Sequence, residues 1–172
     1  DSMRADVYNR RGIVYHFYMD DFEKGLDDYN KVISLDPSFG KVYINRGKLF
    51  TDLKKYDEAL DDFNFGISLA QDKSNIAYKS LHIAYENRGD YYFELEDYEN
   101  ALADYNTAIK IEPTYFKVYR RRADLYQQKE DYTNALIDYT KAIDLDSKNP
   151  QRYISRANCY NLNKQHELAL ND

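Results

Sequence analysis

One short motif recurs five times in this chain, and it divides the sequence into segments of similar length. It reads Tyr-x-x-Arg followed by Gly or Ala, and the copies begin at Tyr8, Tyr43, Tyr85, Tyr119 and Tyr153. Successive copies therefore lie 35, 42, 34 and 34 residues apart. A period of roughly 20–50 residues is typical of arrays in which each repeat is one supersecondary unit stacked on its neighbours. The chain is expected to fold as such an array.

Further positions recur with the same period and predict two helices, A and B, in each repeat. A ring follows three residues after the Gly or Ala of each motif: Tyr15, Phe50, Tyr92, Tyr126 and Tyr160. A second small residue follows: Gly25, Ala59, Ala101, Ala135 and Ala169. Four residues later comes another ring: Tyr29, Phe63, Tyr105 and Tyr139. Small residues let two helices approach closely while rings fill the space beside them. Pro37 and Pro113 are expected to end their B helices, because proline cannot continue a helix.

Composition supports helices and excludes several function classes. The 172 residues include only three prolines and six glycines, the two strongest helix breakers. The net charge of -6 argues against nonspecific binding to nucleic acid or anionic membranes. Cys159 is the only cysteine, so no internal disulfide can form and a reducing, cytoplasmic location is expected. No apolar run reaches the roughly 18 residues that indicate a membrane span. The first residues lack a signal-peptide core and are expected to be the edge of a larger chain.

This framework of small residues, rings and closing prolines resembles that of the tetratricopeptide repeat family over residues 5–172. The resemblance implies an all-α, right-handed superhelical α-solenoid of about four and a half units, in which antiparallel helix pairs stack and the A helices line a concave groove. The approximate units are 5–38, 39–73, 82–115, 116–149 and 150–172, with an elongated connection over 71–83. This connection holds eight residues beyond the period, and we expect them to lengthen helix A of the third unit.

The arginine of each motif is matched by an aspartate that recurs just as strictly. The arginines are Arg11, Arg46, Arg88, Arg122 and Arg156, and the aspartates are Asp28, Asp62, Asp104, Asp138 and Asp172. Partners are separated by 17 residues in the first unit and by 16 in the other four. We therefore expect a ladder of structural ion pairs between A and B helices. Spacing alone leaves open whether each pair lies within a unit or bridges neighbours.

The family's geometry also implies which residues of the A helices face the groove. In the first three units these are Asp6, Asn9, Arg10, Ile13, Phe17, Lys41, Ile44, Asn45, Lys48, Asp52, Ile83, Glu86, Asn87, Asp90 and Glu94. The last two units add Lys117, Arg120, Arg121, Asp124, Gln128, Gln151, Ile154, Ser155, Asn158 and Leu162. The candidates for peptide binding among them are Asn45, Lys48, Asn87, Lys117, Arg120 and Arg121. The alternative for these candidates is ordinary solvated surface with arginine–acid pairs between units.

A chaperone-type clamp is the most specific site that the resemblance offers. Some members of the family bind the C-terminal carboxylate of a chaperone through five Lys, Asn and Arg side chains, since a carboxylate accepts several charge-assisted hydrogen bonds. Asn87, Lys117 and Arg121 match the last three of these positions. Ile44 and Lys48 stand where Lys and Asn are required, so the match is partial. Asn45 and Asn87 also resemble the asparagine ladders with which some arrays hold a peptide backbone.

The sequence shows no catalytic or metal-binding pattern. His16, His82 and His166 are isolated, with no cysteine or carboxylate at zinc-ligand spacing. We expect His16 at the surface, His166 as a packing substitute for a ring, and Cys159 in the core. No enzyme activity, cofactor or metal is expected.

The expected function is that of a protein–protein interaction scaffold, resembling a chaperone adaptor, that binds a peptide or partner helix in the groove. The expected ligand carries an acidic or C-terminal carboxylate group, and no nucleic acid or membrane partner is expected. One alternative is a recruitment segment of a larger enzyme or bacterial effector. Another is a self-assembly module, because repeat arrays need polar terminal caps and uncapped ends are expected to self-associate.

Overall fold

The computed structural model describes residues 2–72, 75 and 79–172, and this part of the chain contains ten α-helices and no strand. The helices are α1 Ser2–Tyr18, α2 Phe22–Leu35, α3 Gly40–Asp52, α4 Tyr56–Gln71, α5 Leu81–Glu94, α6 Tyr98–Ile111, α7 Phe116–Gln128, α8 Tyr132–Leu145, α9 Pro150–Leu162 and α10 His166–Ala169. Odd-numbered helices are A helices and even-numbered ones are B helices, which confirms the predicted fold of helix pairs. Among the described residues, no helix combines the length and apolar character needed to cross a membrane.

The chain divides into two compact units, which we call the amino-terminal block, Asp1–Tyr91, and the carboxy-terminal block, Tyr92–Asp172. In the amino-terminal block α1 packs on α2, α2 on α3, and α3 on α4. In the carboxy-terminal block α6 packs on α7, α7 on α8, α8 on α9, and α9 on α10. A B helix such as α2 or α8 therefore lies against its own A helix and the next one.

Small residues at the repeat positions allow the A and B helices of a pair to approach closely. A Cβ atom added to Gly12 would lie 2.7 Å from the ring of Tyr29, and one added to Gly47 would lie 3.1 Å from the ring of Phe63. Both rings are fully buried. The pairing of a small residue on helix A with a ring on helix B is thus the packing unit of the first two repeats, as the sequence predicts.

Each A helix joins its B helix through the same three-residue turn. The middle residue has a positive φ of 51–59° although none is glycine: Asp20, Lys54, Glu96, Glu130 and Lys164. The backbone N–H of the following residue donates to the backbone carbonyl of the aromatic residue that follows the motif; for example, the N–H of Lys55 donates to the carbonyl of Phe50 at 2.8 Å. Such a bond is typical of helices that end in a left-handed residue. Asp21, Asp97 and Asp131 then cap the B helices by accepting from backbone N–H groups at 3.1–3.2 Å. The B helices of the first, third and fourth repeats therefore share an acidic cap.

The connection between α4 and α5 differs from the prediction. Asp72 has an extended ψ of 114° and ends α4, and α5 has only 14 residues, starting at Leu81. The expected lengthening of helix A in the third unit is therefore wrong, because the chain leaves the helical conformation after α4. Asn75 anchors the connection by donating from Nδ2 to the carbonyl of Ser38 at 3.0 Å. The other residues of this connection, 73, 74 and 76–78, lie outside the described residues.

His166 does not take the packing role that its position predicts. It is exposed on α10, where its Nδ1 lies 3.1 Å from the side-chain oxygen of Asn161. The prediction is wrong because α10 has only four residues and buries none of them.

The motif arginines form the predicted ion pairs, and each observed pair lies within one repeat. Forked pairs join Arg11 to Asp28, Arg46 to Asp62, Arg122 to Asp138 and Arg156 to Asp172. In Arg46, for example, Nε and Nη2 donate to the two oxygens of Asp62 at 2.7 and 2.8 Å. Arg88 and Asp104 belong to different blocks, and their pairing stays a prediction.

The remaining arm of the arginine bridges to the preceding B helix. Nη1 of Arg46 donates to Oδ1 of Asn30 at 2.6 Å, and Nη1 of Arg156 donates to Oγ1 of Thr140 at 3.1 Å. Arg88 and Arg122 bond in the same way to Asn64 and Asn106. Sequence reasoning missed these acceptors, although each stands two residues after a ladder aspartate. The ladder therefore acts both within a repeat and between neighbours, which answers the question that spacing left open.

Two rings flank the guanidinium groups of Arg11, Arg46, Arg122 and Arg156 and account for the aromatic positions of the motif. Cζ of Arg122 lies 5.9 Å from the ring centroids of both Tyr119 and Tyr126. Residues three before and four after the arginine share its helix face, so the rings also favour the cation. Burial nevertheless raises the pKa of Asp62, against the hydrogen bond and the charge of Arg46. In this pair desolvation thus offsets much of the attraction, as is common for buried ion pairs.

Replacing Arg122 by alanine should lower the free energy of unfolding by about 3 kcal/mol, because it leaves the buried Asp138 without its cation. Arg120→Ala is the matched control. Arg120 pairs with Asp124 one turn away, and both side chains are about one-third exposed, so the loss should stay below about 1 kcal/mol. Urea unfolding followed by circular dichroism measures both variants. Equal losses would contradict the assignment of Arg122 to the scaffold.

Replacing Glu130 by glycine should stabilise the chain by about 0.5–1 kcal/mol. Its φ of 59° costs about 1–2 kcal/mol in a residue with a Cβ atom, and the greater backbone freedom of unfolded glycine offsets about half of the gain. Urea unfolding of Glu130→Gly against Glu130→Ala isolates the effect, since alanine keeps the Cβ atom. A similar gain with alanine would show that the charge of Glu130, not its backbone conformation, is responsible.

Candidate functional site

An open groove of about 340 Å³ is formed by α1, α3, α4 and α5 in the amino-terminal block. Its lining consists of Asp6, Asn9, Arg10, Ile13, Lys41, Ile44, Asn45, Ala70, Ser80, Ile83, Ala84 and Asn87. Nine of these residues are among those that the family's geometry implies for the groove. Sequence reasoning missed Ala70, on a B helix, and Ser80 and Ala84, which lie at the start of the third repeat.

The floor of this groove is apolar because each of the three A helices contributes an isoleucine. Ile44 is buried, and Ile13 and Ile83 are half-buried. Gly66 of α4 makes room for the central one, since a Cβ atom there would lie 2.7 Å from Cδ1 of Ile44. The glycine at this repeat position therefore sets the depth at which the isoleucine sits.

Amide side chains link successive A helices beside the apolar floor. Nδ2 of Asn45 donates to Oδ1 of Asn9 at 2.9 Å, and Nζ of Lys48 donates to Oδ1 of Asn87 at 3.1 Å. Nζ of Lys48 also lies 5.2 Å from the ring centroid of Phe17. A carboxamide has two donor hydrogens and an acceptor oxygen, so each asparagine in one of these bonds keeps further bonding capacity. The predicted residues Asn45, Lys48 and Asn87 are thus brought together.

The charged residues of the groove lining are Asp6, Arg10 and Lys41. Arg10 and Asp6 neutralise each other, with Nε donating to Oδ2 at 2.7 Å. Lys41 in the lining and Lys48 beside it add two positive charges. Ile44 places an apolar side chain where a chaperone clamp requires a lysine.

The other predicted cations lie on α7 in the carboxy-terminal block. Nη1 of Arg120 donates to Oδ2 of Asp124 at 3.0 Å, and Oδ1 of the same aspartate accepts from the hydroxyl of Tyr139 at 2.7 Å. Lys117 is exposed, whereas Arg121 is half-buried. Of the three candidates, Lys117 presents its charge most openly to solvent.

His16 is buried, so its predicted surface position is wrong. Its Nε2 lies 2.6 Å from Oδ2 of Asp52, and its ring stacks on Phe17 with centroids 3.9 Å apart. The rings of Phe22 and Tyr29 enclose its other sides at 5.8 and 6.4 Å. Burial lowers the pKa of His16, although the hydrogen bond and charge of Asp52 oppose this effect. Neutral His16 therefore donates from Nε2 to Asp52 near pH 7.

Cys159 is fully buried, which confirms its predicted place in the core. Burial raises the pKa of its thiol to about 11, so the group stays protonated and unreactive at neutral pH. Within residues 2–72, 75 and 79–172, no three His, Cys, Asp or Glu side chains are grouped as a metal site would require.

Acidification should destabilise the chain through His16. Because its pKa is lower in the folded state, the unfolded chain binds more protons, and stability falls as the pH drops below the ordinary value of 6.5. Each unit of pKa difference corresponds to about 1.4 kcal/mol. His16→Gln removes the titration and copies the Gln127 of the fourth repeat. Urea unfolding at pH 7.5 and pH 5 should show a smaller loss in this variant than in the wild type; equal losses would exclude His16 as the source.

Comparison with known protein families agrees with this architecture. The family model described as "Tetratricopeptide repeat" matches residues 5–39, 40–73 and 116–149. A second model, described as "TPR repeat", matches residues 89–130. Together these matches cover well over half of the chain.

Individual relatives resemble the chain in sequence or in fold. A segment of 66 residues, 38% of this chain, is 35% identical to Hsp70-Hsp90 organizing protein 3 of Arabidopsis thaliana and spans 10% of its length. The structure of Pseudomonas aeruginosa pilF matches 99% of this chain and 74% of its own with a TM-score of 0.78 and 18% identity. YrrB, a TPR protein with an unusual peptide-binding site, matches 95% of this chain and 80% of its own, with a TM-score of 0.64 and 17% identity. With its motif, its helix pairs and the family matches in agreement, the chain belongs to the tetratricopeptide repeat family.

Proposed function

We propose that this chain is a non-catalytic interaction scaffold whose amino-terminal groove binds an extended peptide of a partner protein. The observation that carries the proposal is the convergence of an apolar floor and a row of asparagines on one open groove of about 340 Å³. Ligand sites are typically apolar concavities with a few well-placed polar groups. The peptide-binding site of YrrB supports a peptide as the ligand class, and the organizing protein from Arabidopsis agrees with an adaptor role.

The two chemistries of the groove serve two parts of the ligand. Asn45 and Asn87 hold the peptide main chain, because a carboxamide presents both a donor and an acceptor to a peptide group. Ile13, Ile44 and Ile83 receive one apolar side chain, which anchors the peptide by removing apolar surface from water.

Charge selects among peptides that satisfy these contacts. Lys41 and Lys48 favour an acidic side chain or a C-terminal carboxylate next to the apolar anchor. The complete chaperone clamp is not part of the proposal, because Ile44 replaces one of its cations. On α7 of the carboxy-terminal block, Lys117, Arg120 and Arg121 form a separate candidate surface for acidic groups, although Arg120 must first release Asp124.

We also propose that the scaffold works as a recruitment segment in the cytoplasm. The chain spans only a tenth of the length of its Arabidopsis relative, so the same groove would serve to recruit a partner to neighbouring domains of a longer protein. A cytoplasmic location fits Cys159, which remains a thiol in a reducing compartment.

Fluorescence anisotropy with defined peptides tests this function. The probe is a short acidic peptide with one leucine and a free carboxy terminus. The control peptide is identical except that serine replaces the leucine. We expect the leucine peptide to bind about tenfold more tightly, and Asn45→Ala or Ile83→Ser to weaken it about tenfold, since each contact contributes roughly 1 kcal/mol or more. Failure of both peptides to bind, or binding that ignores these substitutions, would contradict the proposal.

Matched variants separate the groove from the rest of the surface. Ile137→Asp alters an exposed isoleucine on α8 and should leave peptide affinity unchanged. The pair Lys117→Ala and Arg121→Ala tests the cations of α7: we expect weaker binding of the acidic peptide without a change in melting temperature. Unchanged affinity would exclude α7 as a binding surface for this peptide and would leave the amino-terminal groove in place.

A further inference from the structure

The outer face of α1 is exposed at positions that other A helices bury. Val7 aligns with Val42 and Val118, and Val14 aligns with Leu49 and Leu125. The four aligned residues of α3 and α7 are 0% exposed, whereas Val7 is 61% and Val14 46% exposed. With Met3 and Tyr18, also exposed, these two valines form an apolar stripe along α1, since residues three, four and seven apart share a helix face.

The packing of α3 identifies what normally covers this stripe. Val42 and Leu49 belong to one buried cluster with Tyr29 and Val32 of the preceding B helix, α2. In the carboxy-terminal block, α6 packs on α7 in the corresponding way. The stripe on α1 is thus the surface on which a B helix rests in the other repeats.

The ladder arginine of α1 is a second, independent sign that this face can accept a helix. Arg11 makes the usual fork with Asp28. Its third arm, Nη1, has no acceptor within the part of the chain that the structure describes, whereas the same arm of Arg46 reaches Asn30 on the preceding B helix. The side chain of Arg11 is accordingly 55% exposed, against 20% for Arg46.

A shallow concavity lies between these two features. It is lined by Met3, Arg4, Val7, Tyr8 and Arg11. An apolar rim with one guanidinium arm at its edge fits a helix that offers both apolar side chains and a single side-chain oxygen.

From these features we infer that the outer face of α1 is a docking site for the B helix of a further tetratricopeptide hairpin. The occupant carries an Asn or Thr two residues after its ladder aspartate, as in the sequences Asp-Tyr-Asn and Asp-Phe-Asn of α2, α6 and α4. That oxygen accepts from Nη1 of Arg11 while apolar residues of the same helix cover Val7 and Val14. This site is separate from the peptide groove and does not depend on the proposed function.

A second copy of this chain is a poorer occupant than a separate hairpin. Its own acceptors are already engaged by ladder arginines, in the pairs Asn30 with Arg46, Asn64 with Arg88, Asn106 with Arg122 and Thr140 with Arg156. A second copy that bound α1 would have to give up one of these hydrogen bonds, whereas a separate hairpin would not.

The experiment uses the α6 sequence itself as the probe. A synthetic peptide of residues 97–114 is titrated into the isotope-labelled chain, and amide chemical shifts are followed up to about 5 mM peptide, a range that detects contacts of about 3 kcal/mol. We expect shifts confined to α1 around Val7, Arg11 and Val14. No shifts in this range, or shifts centred on the groove at Asn45, would overturn the inference.

Variants on both partners make the test specific. Val7→Asp should weaken peptide binding at least tenfold, and Ile137→Asp, an equally exposed position, should leave it unchanged. A peptide with Asn106→Leu should bind several-fold more weakly, because it cannot accept from Arg11. Light scattering of the free chain completes the test: a concentration-dependent dimer that Val7→Asp abolishes would assign the face to a second copy and overturn the choice of occupant.

Discussion

The arginine fork is the interaction on which the rest of this structure depends. A guanidinium carries five N–H donors in a rigid plane. In Arg46 they are divided between Asp62 on its own B helix and Asn30 on the preceding one. A lysine offers a single point charge and cannot hold two helices in this way. Because three helices meet at one side chain, the arginine fixes the rotation of each A helix about its own axis.

That rotation decides which residues enter the groove. Neighbouring residues on a helix point about 100° apart, so holding Arg46 against the B helices turns Asn45 and Ile44 towards the groove. The same reasoning separates the consecutive arginines of α7, where Arg122 is scaffold and Arg120 bonds along its own helix. The ladder therefore determines through geometry which residues line the groove, even where desolvation cancels much of its attraction.

The period made the helix pairs, the forks and most of the groove lining predictable, because each of these features recurs with the motif. Prediction failed where the period gives no information. His16 is buried by the local rings of Phe17 and Phe22, and the chain between Asp72 and Leu81 has no counterpart in other repeats. The asparagines that accept from the ladder arginines also recur with the period. They are uncharged, however, so the sequence offers no opposite charge that would identify Asn30 as a partner of Arg46.

The two faces of an A helix are under different constraints, and α1 shows both. Its outer face carries Val7 and Val14, whose equivalents on α3 and α7 are apolar and fully buried because a B helix packs on them. Its inner face carries Asn9 and Ile13, which line the groove and differ from one repeat to the next. Since the fork of Arg11 sets the helix rotation independently of either groove residue, the inner face can change without loss of the fold. The composition of the groove is therefore separable from the stability of the array, and varies with the few residues that the framework leaves free.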